Sequence, residues 1–589
     1  MEKRLSAISY FVALLIFILT FKLFDLQVVQ GNKLLKISEQ NRTRVYFETA
    51  PRGNIYDRSH LCVADNVSTY VVYFSPEGMT KQGIDDTLDT LEEILKIKIS
   101  RSKLKIYSKS KPAVIRIIDG ISRQQMFWLE ENKYRLPGIN LGMEFKRLYP
   151  YGSTACHMIG YLGEINRSEF ASPQYAGYRV GSFIGKSGVE RIYEPYIRGE
   201  DGGVQIEIDA KGNQLRVIRK ISCIPGNDVH LFLDLKLQNI IEKAFEKTRG
   251  ACVVLDPRNG EVLAMLSSPG YDPNMFVSIS TDTFKRDALL SSVGLPLFNR
   301  ALQGRYPPGS VFKIVTASAA LDEHKVDPQK AVLCQGRFIL GREGKVFKCW
   351  KPEGHGWVDF TRGLAESCDV YFYQLGLRVG IDSIEKYGHK YGLDKYTEID
   401  LPGEATGFIP GRNWKKRRYR DDWYDGDTVN VAIGQGYVLT TPIGLACLAA
   451  TTATRGSLFQ PRVVNKIQDQ NGQVLWKSSP RKIVSNDMDP NTWKIMDATL
   501  QRVVSYGTGA GAAVPGVTVA GKTGTAQNPQ GNDHAWFVAY APAENPEIAL
   551  SVFMEHGGHG GSVAAPVAQA IIQEMLVNRK KSEVKVEAH

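Results

Sequence analysis

Tyr306-Pro307-Pro308-Gly309-Ser310-Val311-Phe312-Lys313 reads as a turn that opens a helix. Two prolines and a glycine interrupt the chain, Ser310 comes next, and an apolar helical run extends from Val311 to Leu321. On such a helix Ser310 and Lys313 lie three residues apart and share one face. A serine at a helix N-terminus sits in positive potential, beside backbone N–H groups that have no partner inside the helix. A lysine one turn on can act as its base.

Ser-x-x-Lys by itself is a weak signal, because it also begins at Ser100, Ser102, Ser108, Ser383 and Ser479. A capped helix with a solvated lysine explains any single copy. Two downstream stretches set the Ser310 copy apart. Ser367-Cys368-Asp369 comes 57 residues later, and Lys522-Thr523-Gly524-Thr525 comes 212 residues later. Lys-Thr-Gly occurs once in the chain, just after the apolar-rich Val517-Thr518-Val519-Ala520, a strand signal.

The ordered set resembles the active site of penicillin-binding proteins. Further stretches resemble the non-catalytic pedestal of the class B members: Ala50-Pro51-Arg52-Gly53-Asn54-Ile55-Tyr56-Asp57-Arg58, Arg147-Leu148-Tyr149-Pro150-Tyr151-Gly152 and Gly185-Lys186-Ser187-Gly188-Val189-Glu190. Between the second and third motifs, Gly426-Asp427-Thr428, Ile433-Gly434-Gln435-Gly436 and Thr441-Pro442 also resemble that family. The Glu-Asp-x-x-Phe stretch of the class A glycosyltransferases is absent from the N-terminal part. Aspartate at position 369, where the widespread form has asparagine, is familiar in elongation-type members, the penicillin-binding protein 2 group.

The resemblance implies a peptidoglycan D,D-transpeptidase that cross-links stem peptides through a serine acyl-enzyme and binds penicillin. Ser310 would attack the penultimate D-Ala carbonyl. Lys313 would be its base, provided its pKa falls from about 10.4 toward neutrality, with burial and Lys522 both pushing that way. Ser367 would relay the proton to the leaving D-Ala. Backbone N–H groups of Ser310 and Thr525 would form the oxyanion hole. Lys522, Thr523 and Thr525 would hold the substrate carboxylate, and Gly524 would let the strand approach the acyl chain. An ionised Asp369 cannot donate as an amide does, and it can pair with a lysine instead. A D,D-carboxypeptidase or β-lactamase would use the same nucleophile, but the large pedestal argues against both. A β-lactam sensor would need more spans and a cytoplasmic effector.

The implied fold is a membrane-anchored α+β pedestal plus an α/β penicillin-binding transpeptidase domain, with a central antiparallel sheet and helices on both faces. We expect a cytoplasmic N-terminus at 1–6, an anchor at 7–24, a pedestal at 25–220, a transpeptidase domain at 221–578 and a disordered tail at 579–589. Helix is expected over Thr80 to Lys111 and from Asp234, the cap, through Leu235 to Lys247. A hairpin is expected around Asp256-Pro257-Arg258-Asn259-Gly260, strands at Ala535 to Ala541 and Ile548 to Met554, and a helix at Ala565 to Val577.

Composition agrees with this picture. The 589 residues are 43% hydrophobic and 23% charged, ordinary for globular domains. The net charge of +11 suits an anionic membrane surface or substrate, and its even spread argues against nucleic acid. Gly181-Ser182-Phe183-Ile184-Gly185-Lys186-Ser187 has one residue too few between its glycines for a phosphate loop. Lys415-Lys416-Arg417-Arg418 reads as a solvated loop face, or as a contact for anionic lipid or a partner.

Leu5 to Phe21 is uncharged and mostly apolar, long enough to span a bilayer, with Lys3 and Arg4 before it. No small-x-small cleavage site comes after it, so an uncleaved single-pass signal anchor is expected, in the inner membrane, with the catalytic domain periplasmic. The resemblance implies peptidoglycan stem peptides, lipid-linked precursor and β-lactams as ligands. It implies a polytopic glycosyltransferase of the shape, elongation, division and sporulation (SEDS) family and rod-complex proteins as partners.

Of eight cysteines, Cys334, Cys349 and Cys368 cluster around His355 between the first two motifs. Three cysteines and a histidine make a full tetrahedral zinc set. The rival readings are a Cys334–Cys349 disulfide with His355 as bystander, or buried inert thiols. The resemblance favours structural zinc, since elongation-type members can carry a metal beside the second motif. The chemistry itself needs no cofactor.

Overall fold

The computed structural model describes the chain apart from residues 1, 36–42, 77–78, 100, 102–114, 180, 209–213, 278–287, 290, 342–343, 530 and 580–589. Among the described residues one helix is long and apolar enough to cross a membrane, Arg4–Val29. It fits a single-pass membrane anchor.

The chain packs as two compact units, and the division is not linear in sequence. One comprises Met1–Arg52, Val67–Lys146 and Arg198–Gly226. The other comprises Gly53–Asn66, Arg147–Ile197 and Asn227–His589.

In the first unit, strands Thr43–Glu48, Gly202–Ile208 and Gln214–Ile221 form an antiparallel sheet. A second core joins Val72 and Phe74 with Ile118 and with Leu88 and Leu91 of helix Lys81–Leu95. That helix is shorter than the Thr80 to Lys111 expected. Lys96 has φ +55° and ends it, and 102–111 lie outside the described residues.

In the second unit, the three pedestal signatures meet. Arg147 Nε donates to Glu190 Oε1 at 2.7 Å, and its Nη1 donates to the Gly53 carbonyl at 2.8 Å. Both side chains are fully buried, so removing one partner would strand a charge, at about 3–5 kcal/mol.

The catalytic sheet has five antiparallel strands in the order Val262–Ser268, Gly250–Leu255, Ile548–Met554, His534–Ala541, Ala520–Ala526. All five are almost wholly buried, which explains runs such as Ala251-Cys252-Val253-Val254-Leu255. Helices Leu235–Ala244 and Gly560–Gln573 share a core with one face. Helices Lys313–Asp322 and Pro442–Ala453 share a core with the other. The expected hairpin, the Asp234 cap and both C-terminal strands form.

Three boundaries differ from expectation. The third motif lies inside the edge strand Ala520–Ala526, whereas the apolar signal pointed to 517–520. Pairing with His534–Ala541 draws Lys522 and Gly524 into the strand despite their weak strand preference. The C-terminal helix begins at Gly560, and the tail beyond 579 lies outside the described residues. The basic run expected as a loop is helical, Arg412–Tyr419, because Lys415 is buried on Asp427 and Asp421 at 2.7 and 3.1 Å.

Candidate active site

Ser310 lies in a 3-10 turn, Gly309–Phe312, and the α-helix proper runs from Lys313 to Asp322. The helix therefore begins later than the apolar run suggested. The turn needs glycine at its start: a Cβ on Gly309 (φ +52°) would sit 2.4 Å from the Thr525 carbonyl oxygen. The Gly309 N–H donates to the Gly434 carbonyl at 3.0 Å.

The turn is held from several sides. Tyr306 and Thr440 exchange backbone hydrogen bonds at 2.9 Å. Trp536 Nε1 donates to the Pro307 carbonyl at 3.0 Å. The Tyr306 hydroxyl donates to Glu555 Oε1 at 2.8 Å, on the oxygen that also receives Arg300 Nε at 2.9 Å. Burial, then the Glu555 carboxylate, raises the Tyr306 phenol pKa, so it stays a donor.

The second motif meets the first through Lys313, whose side chain is fully buried. Its Nζ donates to Asp369 Oδ1 at 2.7 Å, to the Ser367 carbonyl at 2.9 Å and to Ser367 Oγ at 3.3 Å. These contacts occupy the three donors of an ammonium. Asp369 Oδ2 accepts from the Trp350 N–H at 2.9 Å. Asp369 thus pairs with a lysine, and that lysine is the candidate base.

The third motif arrives on the same hydroxyl. Lys522 Nζ donates to Ser367 Oγ at 3.0 Å and to the Thr523 carbonyl at 3.0 Å. Ser367 holds this position with φ +55°, a backbone region that costs about 1–3 kcal/mol for a non-glycine. Burial first, and the Lys313 charge second, lower the Lys522 pKa well below the ordinary lysine value. Among the described residues Lys522 has no carboxylate within hydrogen-bonding distance.

Strand alternation separates the remaining residues. Lys522 and Gly524 face the nucleophile helix: a Cβ on Gly524 would lie 2.8 Å from the Pro308 carbonyl and 2.9 Å from Val311 Cγ2. Thr523 Oγ1 lies 2.6 Å from Thr508 Oγ1. The Thr525 carbonyl accepts from Gln435 Nε2 at 3.3 Å. Glu555, Arg300, Trp536 and Thr440 carried no sequence signal as neighbours of the site. Gly434 and Gln435 did, within Ile433-Gly434-Gln435-Gly436.

Cys334, Cys349, His355 and Cys368 are all buried, and their four ligand atoms lie within 4.8 Å of one another. His355 Nδ1 is 3.6 Å from both the Cys334 and Cys349 sulfurs. All eight cysteines are free thiols. The Cys349 thiol pKa is pushed down, chiefly because it accepts a hydrogen bond from Cys368, which is raised by the same contact and by burial. Four converging soft and borderline donors fit a closed tetrahedral zinc site.

Two family models match the chain. The penicillin binding protein transpeptidase domain matches residues 250–573, and the penicillin-binding protein dimerisation domain matches 47–231. Peptidoglycan D,D-transpeptidase MrdA of Acinetobacter baumannii is 35% identical over 582 residues, covering 96% of this chain and 86% of that protein. The penicillin-binding protein 2 of Helicobacter pylori, solved in complex with MreC, superposes with a TM-score of 0.78 at 27% identity. That match covers 91% of this chain and all of the other. A structure of a peptidoglycan synthase complex, solved for the coordination of polymerization and crosslinking, matches with a TM-score of 0.71 at 30% identity. It covers 97% of this chain and 98% of that one. Motif order, buried lysine pair, fold and relatives agree: the chain belongs to the class B penicillin-binding proteins, in the penicillin-binding protein 2 group, and is a cell-wall D-Ala-D-Ala transpeptidase.

Proposed function

We propose that Ser310 is the acylated nucleophile and that Lys313, Ser367 and Lys522 form its proton path. The observation that carries this reading is the single hydroxyl of Ser367, which receives Lys313 Nζ at 3.3 Å and Lys522 Nζ at 3.0 Å. Lys313 takes the Ser310 proton, after a proton shift along this chain leaves its amine neutral. Ser367 passes that proton to the departing D-Ala. The Ser310 and Thr525 N–H groups receive the oxyanion, worth about 3–4 kcal/mol per donor. Lys522, Thr523 and Thr525 receive the substrate carboxylate, and Asp369 holds Lys313 in place. Labelled penicillin on the full chain tests this. Ser310→Ala is expected to abolish labelling while the unfolding temperature stays within a few degrees, and peptide mapping of the wild-type adduct should end on Ser310. Labelling that persists in the alanine variant would sink the assignment.

Cys334, Cys349, His355 and Cys368 would hold one structural zinc ion. Bound there, zinc supplies a cross-link between the second motif and the loop of residues 334–355. Cys368 sits between Ser367 and Asp369, so the same cross-link would fix both side chains against Lys313.

The N-terminus faces the cytoplasm and the catalytic unit the periplasm of an inner membrane, an orientation supported by Lys3 and Arg4. The chain works in cell elongation with a polytopic SEDS-family glycosyltransferase and an MreC-type rod protein. The relatives solved with MreC and in a peptidoglycan synthase complex support that reading.

A further inference from the structure

The basic helix Arg412–Tyr419 is tied to the nucleophile turn by a short stretch of backbone. Phe408 and Leu439 exchange backbone hydrogen bonds, and the next residue, Thr440, pairs with Tyr306. Three positions before Thr440, Tyr437 meets Trp414 edge to face, with ring centres 4.9 Å apart. Tyr419 completes the cluster at 5.5 Å from Trp414 and 5.7 Å from Tyr437. Upstream, Gly434 receives the Gly309 N–H, and Gln435 donates to the Thr525 carbonyl. Residues 434–440 therefore touch the nucleophile turn, the third-motif strand and this aromatic cluster.

The charges beside the cluster are arranged unevenly. Lys415 is buried on Asp427 and Asp421, and Lys416 lies 3.7 Å from Asp422. Arg417, Arg418 and Arg420 are exposed and make no side-chain hydrogen bond or ion pair among the described residues. Asp425, also exposed, is the one carboxylate of 421–427 without a lysine partner among the described residues. Arg420, exposed and next to Tyr419 in the chain, ends the helix with φ +55°.

We propose that Trp414, Tyr419 and Tyr437, with Arg417, Arg418 and Arg420, form a peptidoglycan-binding platform outside the acylation site. Peptidoglycan combines the two chemistries this surface offers. Sugar rings present weakly positive C–H faces to the negative faces of aromatic rings. Stem peptides carry free carboxylates, which guanidinium groups bind in bidentate fashion. An anionic bilayer would satisfy the arginines too. The aromatic rings, however, adjoin the segment that contacts the nucleophile turn, where a strand being cross-linked must pass. The platform would retain a strand while its peptide is exchanged at Ser310.

This inference rests on the transpeptidase assignment, which penicillin labelling of Ser310 tests separately. The full chain in detergent is first acylated with excess penicillin, so that the acylation site is closed in every sample. Co-sedimentation with purified sacculi is then measured at about 0.15 M salt. The variant Arg417→Gln, Arg418→Gln, Arg420→Gln is expected to bind at least about tenfold more weakly. The wild type should lose a similar factor on sacculi whose carboxylates have been amidated. Sacculus binding that is unchanged in either arm overturns the proposal. So does a triple variant that keeps sacculus binding but loses binding to vesicles of anionic phospholipid, which would make the patch a membrane contact. If the triple variant does not fold, the amidated sacculi decide alone.

Discussion

Lys313 Nζ donates to Asp369 Oδ1 at 2.7 Å, a buried ion pair between the first and second motifs, 56 residues apart. The other Asp369 oxygen accepts the Trp350 N–H, next to Cys349 of the cysteine cluster. One carboxylate thus connects the candidate base to the candidate metal site. An amide at this position could not accept from both donors in the same way, because one of its two ends is itself a donor.

Asp369→Asn is therefore expected to set an amide N–H against either Lys313 or the Trp350 N–H. Penicillin acylation should slow at least about tenfold, and stability should fall by about 1–3 kcal/mol for the unsatisfied group. Asp369→Ala should cost more, about 3–5 kcal/mol, because it leaves a buried ammonium unpaired. Denaturant unfolding and acylation kinetics check both. Wild-type acylation by the asparagine variant would show that the carboxylate does not position the base.

Gly524→Ala would place a methyl group 2.8 Å from the Pro308 carbonyl and 2.9 Å from Trp536 Cβ. The third-motif strand must then retreat from the nucleophile turn by a fraction of an ångström. Misplacement on that scale is expected to slow acylation by about 10–100-fold. Stopped-flow acylation at saturating penicillin reads this, with thermal unfolding as the folding control.

His157 is buried, and its Nε2–H donates to the Pro296 carbonyl at 2.8 Å. Burial first, and the nearby Arg300 charge, lower its pKa from 6.5 to about 4. For a depressed folded-state value, the stability is complete above pH 6.5 and is lost as pH falls toward 4. The loss is about 3 kcal/mol from this one group. His157→Gln, which keeps a donor, should unfold with a shallower pH dependence between 6.5 and 4. An unchanged slope would exclude His157 as its source.

Elemental analysis of the purified chain should find one zinc per molecule. Cys368→Ser should lose the metal, and prolonged treatment with a strong chelator should lower the unfolding temperature of the wild type but not of the variant. A metal-free wild type that acylates normally, or a Cys334–Cys349 disulfide in mass spectra, would remove zinc from the account.

Chain order and local pattern carried the three motifs and the apolar anchor, because each is a property of neighbouring residues, and the fold class came from the family that the ordered motifs resemble. Ser310 and Lys313 share a turn, and the apolar runs of the catalytic sheet announce strands buried on both faces. The four candidate metal ligands were legible by type, although their convergence within 4.8 Å was not. Tertiary structure decided what no local pattern encodes. It set the Asp369 partner, the support of Tyr306 by Glu555 across 249 residues, and the burial that lowers the Lys522 pKa. Pairing also placed Lys522 and Gly524, poor strand formers, in an edge strand, and the buried contacts of Lys415 hold a run of helix-forming Arg and Lys residues in a helix. Hydrogen bonds and burial between distant segments outweigh intrinsic propensities of a few tenths of a kcal/mol per residue, and only the folded chain brings those segments together.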